Sequence, residues 1–204
     1  MSQTLPAETL SGHPEFRPLS AIPGIGIDLR YATPGNFAGR DLYSPHDCAF
    51  LHREAATALA ASVAWLAREC PGFGLLVLDA VRPQRVQEAL WESLAGQPEL
   101  RRYLADPARG SIHSFGMAID ITVTDPSGRE LDMGTPFDGL DELSHPALEE
   151  GFLRAGMLSQ AQVDNRVLLR SAMAAGGWKG ITTEWWHFDC GDRATVRATY
   201  PKVL

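Results

Sequence analysis

Cysteine is scarce in this chain, with three in 204 residues: Cys48, Cys70 and Cys190, none of them in a C-x-x-C pair. So small and odd a set speaks against a disulfide framework or a cysteine zinc site, and points to a reduced, cytoplasmic protein. Long apolar runs are missing too: no stretch approaches the roughly 18 residues of a membrane span. The opening M-S-Q-T-L-P-A-E-T-L has neither a basic start nor an apolar core, so no secretory leader is read there. Basic residues are outnumbered, 18 Lys and Arg against 25 Asp and Glu, for a net charge of −7. No Lys/Arg cluster with interleaved aromatics compensates for that balance. Neither nucleic acid nor a membrane is therefore an expected partner. Internal repeats and low-complexity linkers are absent as well.

What remains is an ordinary globular composition, 45% hydrophobic, in a length that suits one domain. Residues 1–20, with three prolines, read as a loosely ordered lead-in to a single domain over 21–204. Ile25, Ile27 and Leu29 alternate as in a short strand. A helix is expected from an N-cap at Asp47 to Cys70, where Pro71-Gly72 stops it, with Leu51, Ala55, Leu59, Ser62 and Leu66 on its inner stripe. G-L-L-V-L-D (74–79) reads as a buried strand. Pro83 opens a second helix carrying Val86, Leu90 and Leu94. A-I-D-I-T-V-T (118–124) is a second strand, ended by the turn D-P-S-G. Helices follow near 146–155 and 160–175, the latter with Val163, Val167, Leu168 and Met173 on or near one stripe and Gly176-Gly177 at its end. Strand-like W-K-G-I-T-T-E-W-W-H-F-D closes the chain. Helices and strands without regular β-α-β alternation predict an α+β domain.

Two of the six histidines keep unusual company. S-I-H-S-F-G-M-A-I-D (111–120) and E-W-W-H (184–187) offer His113, Asp120 and His187, the three protein ligands of a catalytic zinc site with one position left open. His113 precedes Asp120 by seven positions, so a straight strand would aim them apart, and Gly116 supplies the turn that brings them together. Glu184 and His187 differ by an odd number, which a regular strand would separate. They share a site only across a bulge or kink. Beside such a metal, Glu184 can take a proton from water and pass it to a leaving amine. Trp185 and Trp186 would dry and stiffen the site. In L-D-A-V-R-P-Q-R, Arg82 emerges where a strand meets a helix, placed to stabilise an oxyanion or to bind a carboxylate. His13, His46, His52 and His145 have no metal role in this reading, and Cys190 is a packed thiol.

These elements together resemble the zinc D,D-peptidases, most closely the VanX-type D-alanyl-D-alanine dipeptidases. S-I-H-S-F-G-M-A-I-D is similar to the family's S-x-H-x-x-G-x-A-x-D, and E-W-W-H matches its second motif. Y-A-T-P-G-N-F-A-G, L-D-A-V-R-P and L-D-M-G-T-P-F-D-G-L-D-E-L-S-H resemble further segments of the dipeptidase branch, so the likeness spans roughly 25–190. Val81 stands where the family has an aromatic, and the stretch between Trp91 and Gly110 is short. The resemblance implies a small, mostly antiparallel sheet that carries the metal site and is flanked by helices. It implies one zinc held by His113, Asp120 and His187, Glu184 as general base and acid, and Arg82 at the tetrahedral intermediate. It also implies Asp138 near the substrate's ammonium end, Ser111 and Tyr31 lining the pocket, and Asp79 orienting Arg82. The substrate would be a small dipeptide with free ends. A D,D-carboxypeptidase of peptidoglycan stems, or an inactive zinc module, is the rival expectation.

Overall fold

The computed structural model describes residues 3–204. Among these residues nine strands and five α-helices follow one another, with short 3-10 turns between them. β1 (Thr4–Leu5), β2 (Phe16–Pro18), β3 (Ile25–Ile27) and β4 (Phe50–His52) precede α1 (Arg53–Glu69) and β5 (Gly74–Asp79). Next come α2 (Gln84–Ser93), β6 (Ala118–Thr124), α3 (Glu149–Arg154) and α4 (Gln160–Ala175). β7 (Lys179–Gly180), β8 (His187–Asp189), α5 (Arg193–Thr199) and β9 (Lys202–Val203) complete the chain.

The central sheet has the order β3-β5-β6-β8-β7, with only the β3–β5 pair parallel. That is the mostly antiparallel α+β arrangement expected. Period two divides β6 between two faces. Ile119, Ile121 and Val123 stand opposite Phe188, Val77 and Leu75, and join the core that contains Leu59 and Leu66 of α1 and Leu169 and Met173 of α4. The alternate positions, Asp120 and Thr122, point the other way. One face of the sheet thus holds the fold together and the other is available for chemistry.

Helix ends follow local chemistry. α4 starts at a capping box, in which Ser159 and Gln162 satisfy each other's backbone N–H groups. It ends against α1, where a Cβ on Gly176 would come within 2.3 Å of the Ala58 carbonyl oxygen. Three local expectations are corrected. α1 begins at Arg53 rather than after Asp47, because Phe50–His52 pairs with Phe16–Pro18 and His52 caps the helix by accepting the Glu54 N–H. The buried stripe of α4 is Arg166, Leu169, Ala172 and Met173, whereas Val167 is exposed. Arg166 is tolerated inside because it donates to the carbonyls of Met133 (2.7 Å) and Leu143 (3.0 Å) and lies 3.4 Å from Glu149. The N-terminal segment is not loose: Ala7, Leu10, Phe16 and Leu19 are buried, and β1 pairs with β9. Residues 1 and 2 of that segment lie outside the described residues.

Among the described residues no helix is long and apolar enough to cross a membrane. Cys48, Cys70 and Cys190 are all free thiols, and burial pushes Cys190 up to about 11.

Candidate functional site

The polar face of the sheet assembles the site by register. Asp79 at the end of β5 is paired with Asp120 of β6, and Asp120 with His187 of β8. Direct cross-strand partners project to one side, so a single row sets two carboxylates and an imidazole together. A bulge between Val77 and Asp79 brings Asp79 into that row.

His113 arrives from outside the sheet, on a 3-10 turn over Ile112–Phe115. Gly116 ends the turn in the left-handed region, at φ 65°. A Cβ there would lie 2.7 Å from the His52 backbone nitrogen and 2.8 Å from Phe16 Cε1. Gly116→Ala is therefore expected to destabilise the fold by at least about 2 kcal/mol and to displace His113. A lowered urea midpoint with weakened metal binding would show this. An unchanged midpoint would remove the turn from the account.

Three donor atoms then face one another. His113 Nε2 lies 3.1 Å from His187 Nδ1 and 3.3 Å from Asp120 Oδ1, and the latter two are 3.0 Å apart. The opposite ring nitrogens fix the tautomers. His113 Nδ1–H donates to the Ala80 carbonyl at 2.8 Å, and His187 Nε2–H donates to Asp189 Oδ1 at 3.0 Å. With both rings neutral, the nitrogens that face the cluster present lone pairs beside a carboxylate, and three such acceptors repel unless a metal ion or a proton joins them. Tetrahedral zinc with bonds of about 2.0–2.1 Å spaces its ligand atoms about 3.3 Å apart, so the donor set and its spacing fit zinc. Among the described residues this is the one His/Cys/Asp/Glu cluster with metal-ligand geometry. Without a cation, burial opposes charge on His187, but hydrogen bonds to Asp120 and Asp189 push it up to about 10. Burial likewise opposes charge on Asp120, and the His113 and His187 imidazoles outweigh it and hold the carboxyl far below the usual range.

A cavity of about 190 Å³ lies over the cluster. Eight of the nine residues singled out from the sequence line it, and the ninth, Asp79, lies behind Arg82. The volume is below the roughly 300–1,000 Å³ typical of sites for drug-sized ligands, and suits a small molecule.

Glu184 reaches this cavity through a bent connection. Residues 181–186 join β7 to β8 with bends at 182–183 and 185–186, so only His187–Asp189 of the expected long strand is regular. The kink that the odd spacing requires is a loop entering a strand. Burial pushes the Glu184 carboxyl up to about 7; His187 and Arg82 oppose the shift and Asp120 adds to it. Trp186 walls the cavity and packs on Phe137 at 5.5 Å. Trp185 does not line it, but anchors the bend from behind by donating to Thr135 Oγ1 at 2.9 Å.

Arg82 is held from several directions. Its Nε donates to Asp79 Oδ2 at 2.8 Å, Nη1 to Gln87 Oε1 at 3.2 Å, and Nη2 lies 2.7 Å from Asp79 Oδ2 and 3.1 Å from Asp120 Oδ2. Asp79 in turn accepts from the Tyr43 hydroxyl and the Ala80 N–H. Tyr31 lies under the guanidinium, 4.9 Å from ring centre to Cζ. Its hydroxyl donates to Asp138, with oxygen separations of 3.0 and 2.9 Å. Asp138 is the single non-glycine residue at positive φ (58°) among the described residues, a strain characteristic of functional sites. Burial first, then the Asp120 charge, raises its carboxyl well above the usual range. Ser111 is buried and lines the same cavity.

Some contributors escaped the sequence reading. Asp189 was legible, since two positions beyond His187 on a strand is the same face. Tyr43, Gln87 and the Ala80 carbonyl carried no local signal, because their roles come from contacts across the fold.

Comparison with known proteins follows the same lines. A family model described as D-Ala-D-Ala dipeptidase, of the M15 peptidases, matches residues 15–204. A D-alanyl-D-alanine dipeptidase of Escherichia coli K12 is 38% identical over 177 residues, covering 85% of this chain and 83% of its own. One from Enterococcus faecium is 33% identical over 186 residues, covering 82% and 86%. Among solved structures, the LdcB LD-carboxypeptidase has a TM-score of 0.50 at 16% identity, over 91% of this chain and 72% of that one, a likeness of fold alone.

Proposed function

Because the chain belongs to the D-Ala-D-Ala dipeptidase family of M15 metallopeptidases, we propose that its cavity hydrolyses a free D,D-dipeptide at one zinc ion held by His113, Asp120 and His187. The carrying observation is the triangle of three lone-pair donors, with Glu184 and Arg82 on the same small cavity. The catalytic unit is one domain over 21–204, on which the packed N-terminal segment rests.

The metal's contribution, when bound, is Lewis-acid polarisation of the scissile carbonyl and acidification of water. The remaining work belongs to side chains. Glu184, with a proton affinity raised towards neutrality, accepts a proton from the attacking water and returns it to the departing amine nitrogen. Three of the five Arg82 N–H groups donate to Asp79, Gln87 and Asp120, and Nη2 also lies in ion-pair contact with Asp79, which leaves one Nη1 N–H for the developing oxyanion. Asp79 fixes that direction. Asp138 and Tyr31 receive the substrate's ammonium group, whose charge offsets the cost of a buried, ionised Asp138. Ser111 completes the wall.

A cavity of this size suits a dipeptide better than a stem peptide. A panel of dipeptides tests the reading. Free D-Ala-D-Ala is expected to be cleaved, and its N-acetyl derivative at least about 10²-fold more slowly, since the blocked end leaves Asp138 without a counter-charge. Equal rates on the two would favour a carboxypeptidase.

A further inference from the structure

The cavity is lined by charges of both signs. Asp120, Asp138, Glu184 and Asp189 line it, and so do Arg193 and Arg197 of α5. The two arginines are four positions apart and share a helix face. Arg197 is tethered by its Nε, which donates to the Gly110 carbonyl at 3.1 Å, so its guanidinium stands beside the residue that precedes Ser111. Arg193 is tethered likewise, Nε to Asp189 Oδ2 at 2.6 Å. Neither arginine's terminal nitrogens meet a protein acceptor among the described residues. Ser111, 4% exposed, lines the same cavity, and its hydroxyl has no protein partner among the described residues.

Burial and the charges of Arg109 and Arg193 press the Arg197 guanidinium below its usual proton affinity, with Asp189 alone opposing. Two neighbouring cations whose terminal donors lack a protein acceptor, Arg193 with its side chain about half exposed, are chemically suited to an anion in a protein of net charge −7. Arg82 is already assigned, since its bonds to Asp79, Asp120 and Gln87 hold it in place and its free Nη1 N–H serves the oxyanion.

We propose that Arg197, backed by Arg193 and joined by the Ser111 hydroxyl, receives the C-terminal carboxylate of the substrate and so determines specificity for a free C-terminus. This rests on the dipeptidase reading above. Ammonium at Asp138 and carboxylate at Arg197 would hold the zwitterion by both ends, with the peptide bond between them facing Glu184 and the metal ligands. In the active enzyme, loss of the Arg197 charge is expected to raise KM about 10–100-fold with little change in kcat.

Binding by calorimetry to the zinc-loaded Glu184→Gln protein, in which turnover is suppressed, tests this directly. The probes are D-Ala-D-Ala and its C-terminal amide. The acid is expected to bind about 10–100-fold more tightly than the amide. Adding Arg197→Gln should bring the two within about threefold by weakening the acid alone. Glutamine keeps an amide N–H that can reach the Gly110 carbonyl, so a purely structural role predicts that the preference survives. A surviving preference, or none at the outset, overturns the proposal. An Arg197-dependent preference in a zinc-loaded parent that cleaves no D,D-dipeptide would instead sink the dipeptidase reading and leave the carboxylate receptor standing.

Discussion

The Glu184→Gln protein is expected to hold its metal and to lose about 10²–10⁴-fold in kcat. Glu184 belongs to none of the three donor contacts, so its loss leaves the ligand triangle intact while removing the carboxylate proposed to shuttle a proton. Burial pushes it up to about 7, and only the ionised form can accept a proton. Activity in the parent should accordingly rise with pH, along an acid limb at or below pH 7, because a bound cation pulls the value down.

The same shift has a consequence for stability. Its folded pKa of about 7 exceeds the ordinary 4.5, so ionisation of Glu184 favours the unfolded chain as pH rises between those values. Metal-free Glu184→Gln should therefore match the parent at pH 4 and exceed it at pH 8, by about 1–2 kcal/mol once solvent screening is allowed for. A residue serving structure would lose stability on substitution. Turnover near the parental rate in a metal-loaded Glu184→Gln protein would end the general-base assignment.

Stripping the metal is expected to abolish turnover altogether, with recovery at one equivalent of zinc. The apo-protein should also melt lower. Free ligand at 1,000 times its Kd contributes about 4 kcal/mol, and for a chain of this length each kcal/mol moves Tm by about 2–4 °C, a fall of about 8–16 °C. Proton release is a second readout. Without a cation, His187 is pushed up to about 10, above its ordinary 6.5, by its bonds to Asp120 and Asp189 once burial is overcome. Its proton then stabilises the metal-free fold fully below pH 6.5, and that stabilisation fades as pH rises through about 10. Zinc must displace this proton, so loading at pH 8 should release about one proton per ion, measurable in a pH-stat. Failure to retain a stoichiometric divalent ion after reconstitution would sink the metal assignment.

Much of the molecule was present in local sequence. The apolar run 74–79 and the segment 118–124 are strands over those same residues, because continuous β-prone stretches bounded by turn residues have few alternatives. Pro71-Gly72 and Gly176-Gly177 end their helices where the backbone chemistry demands it. The donor types were legible as well: two imidazoles and a carboxylate, with a glutamate in E-W-W-H, needed no contact map to be noticed.

Partners distant in sequence decided the rest. The stripe of α4 was misjudged because burial of Arg166 depends on Glu149 and on carbonyls of Met133 and Leu143, none of which α4 contains. The N-terminal segment is packed because β9, nearly two hundred residues away, supplies the partner of β1. The register that places Asp79, Asp120 and His187 in one row belongs to three strands at once. The bend that returns Glu184 to His187 is held by Trp185 against Thr135. Periodicity reports which face of an element is apolar; the cost of burying a charge, and the geometry of a site, depend on what the folded chain brings against that face.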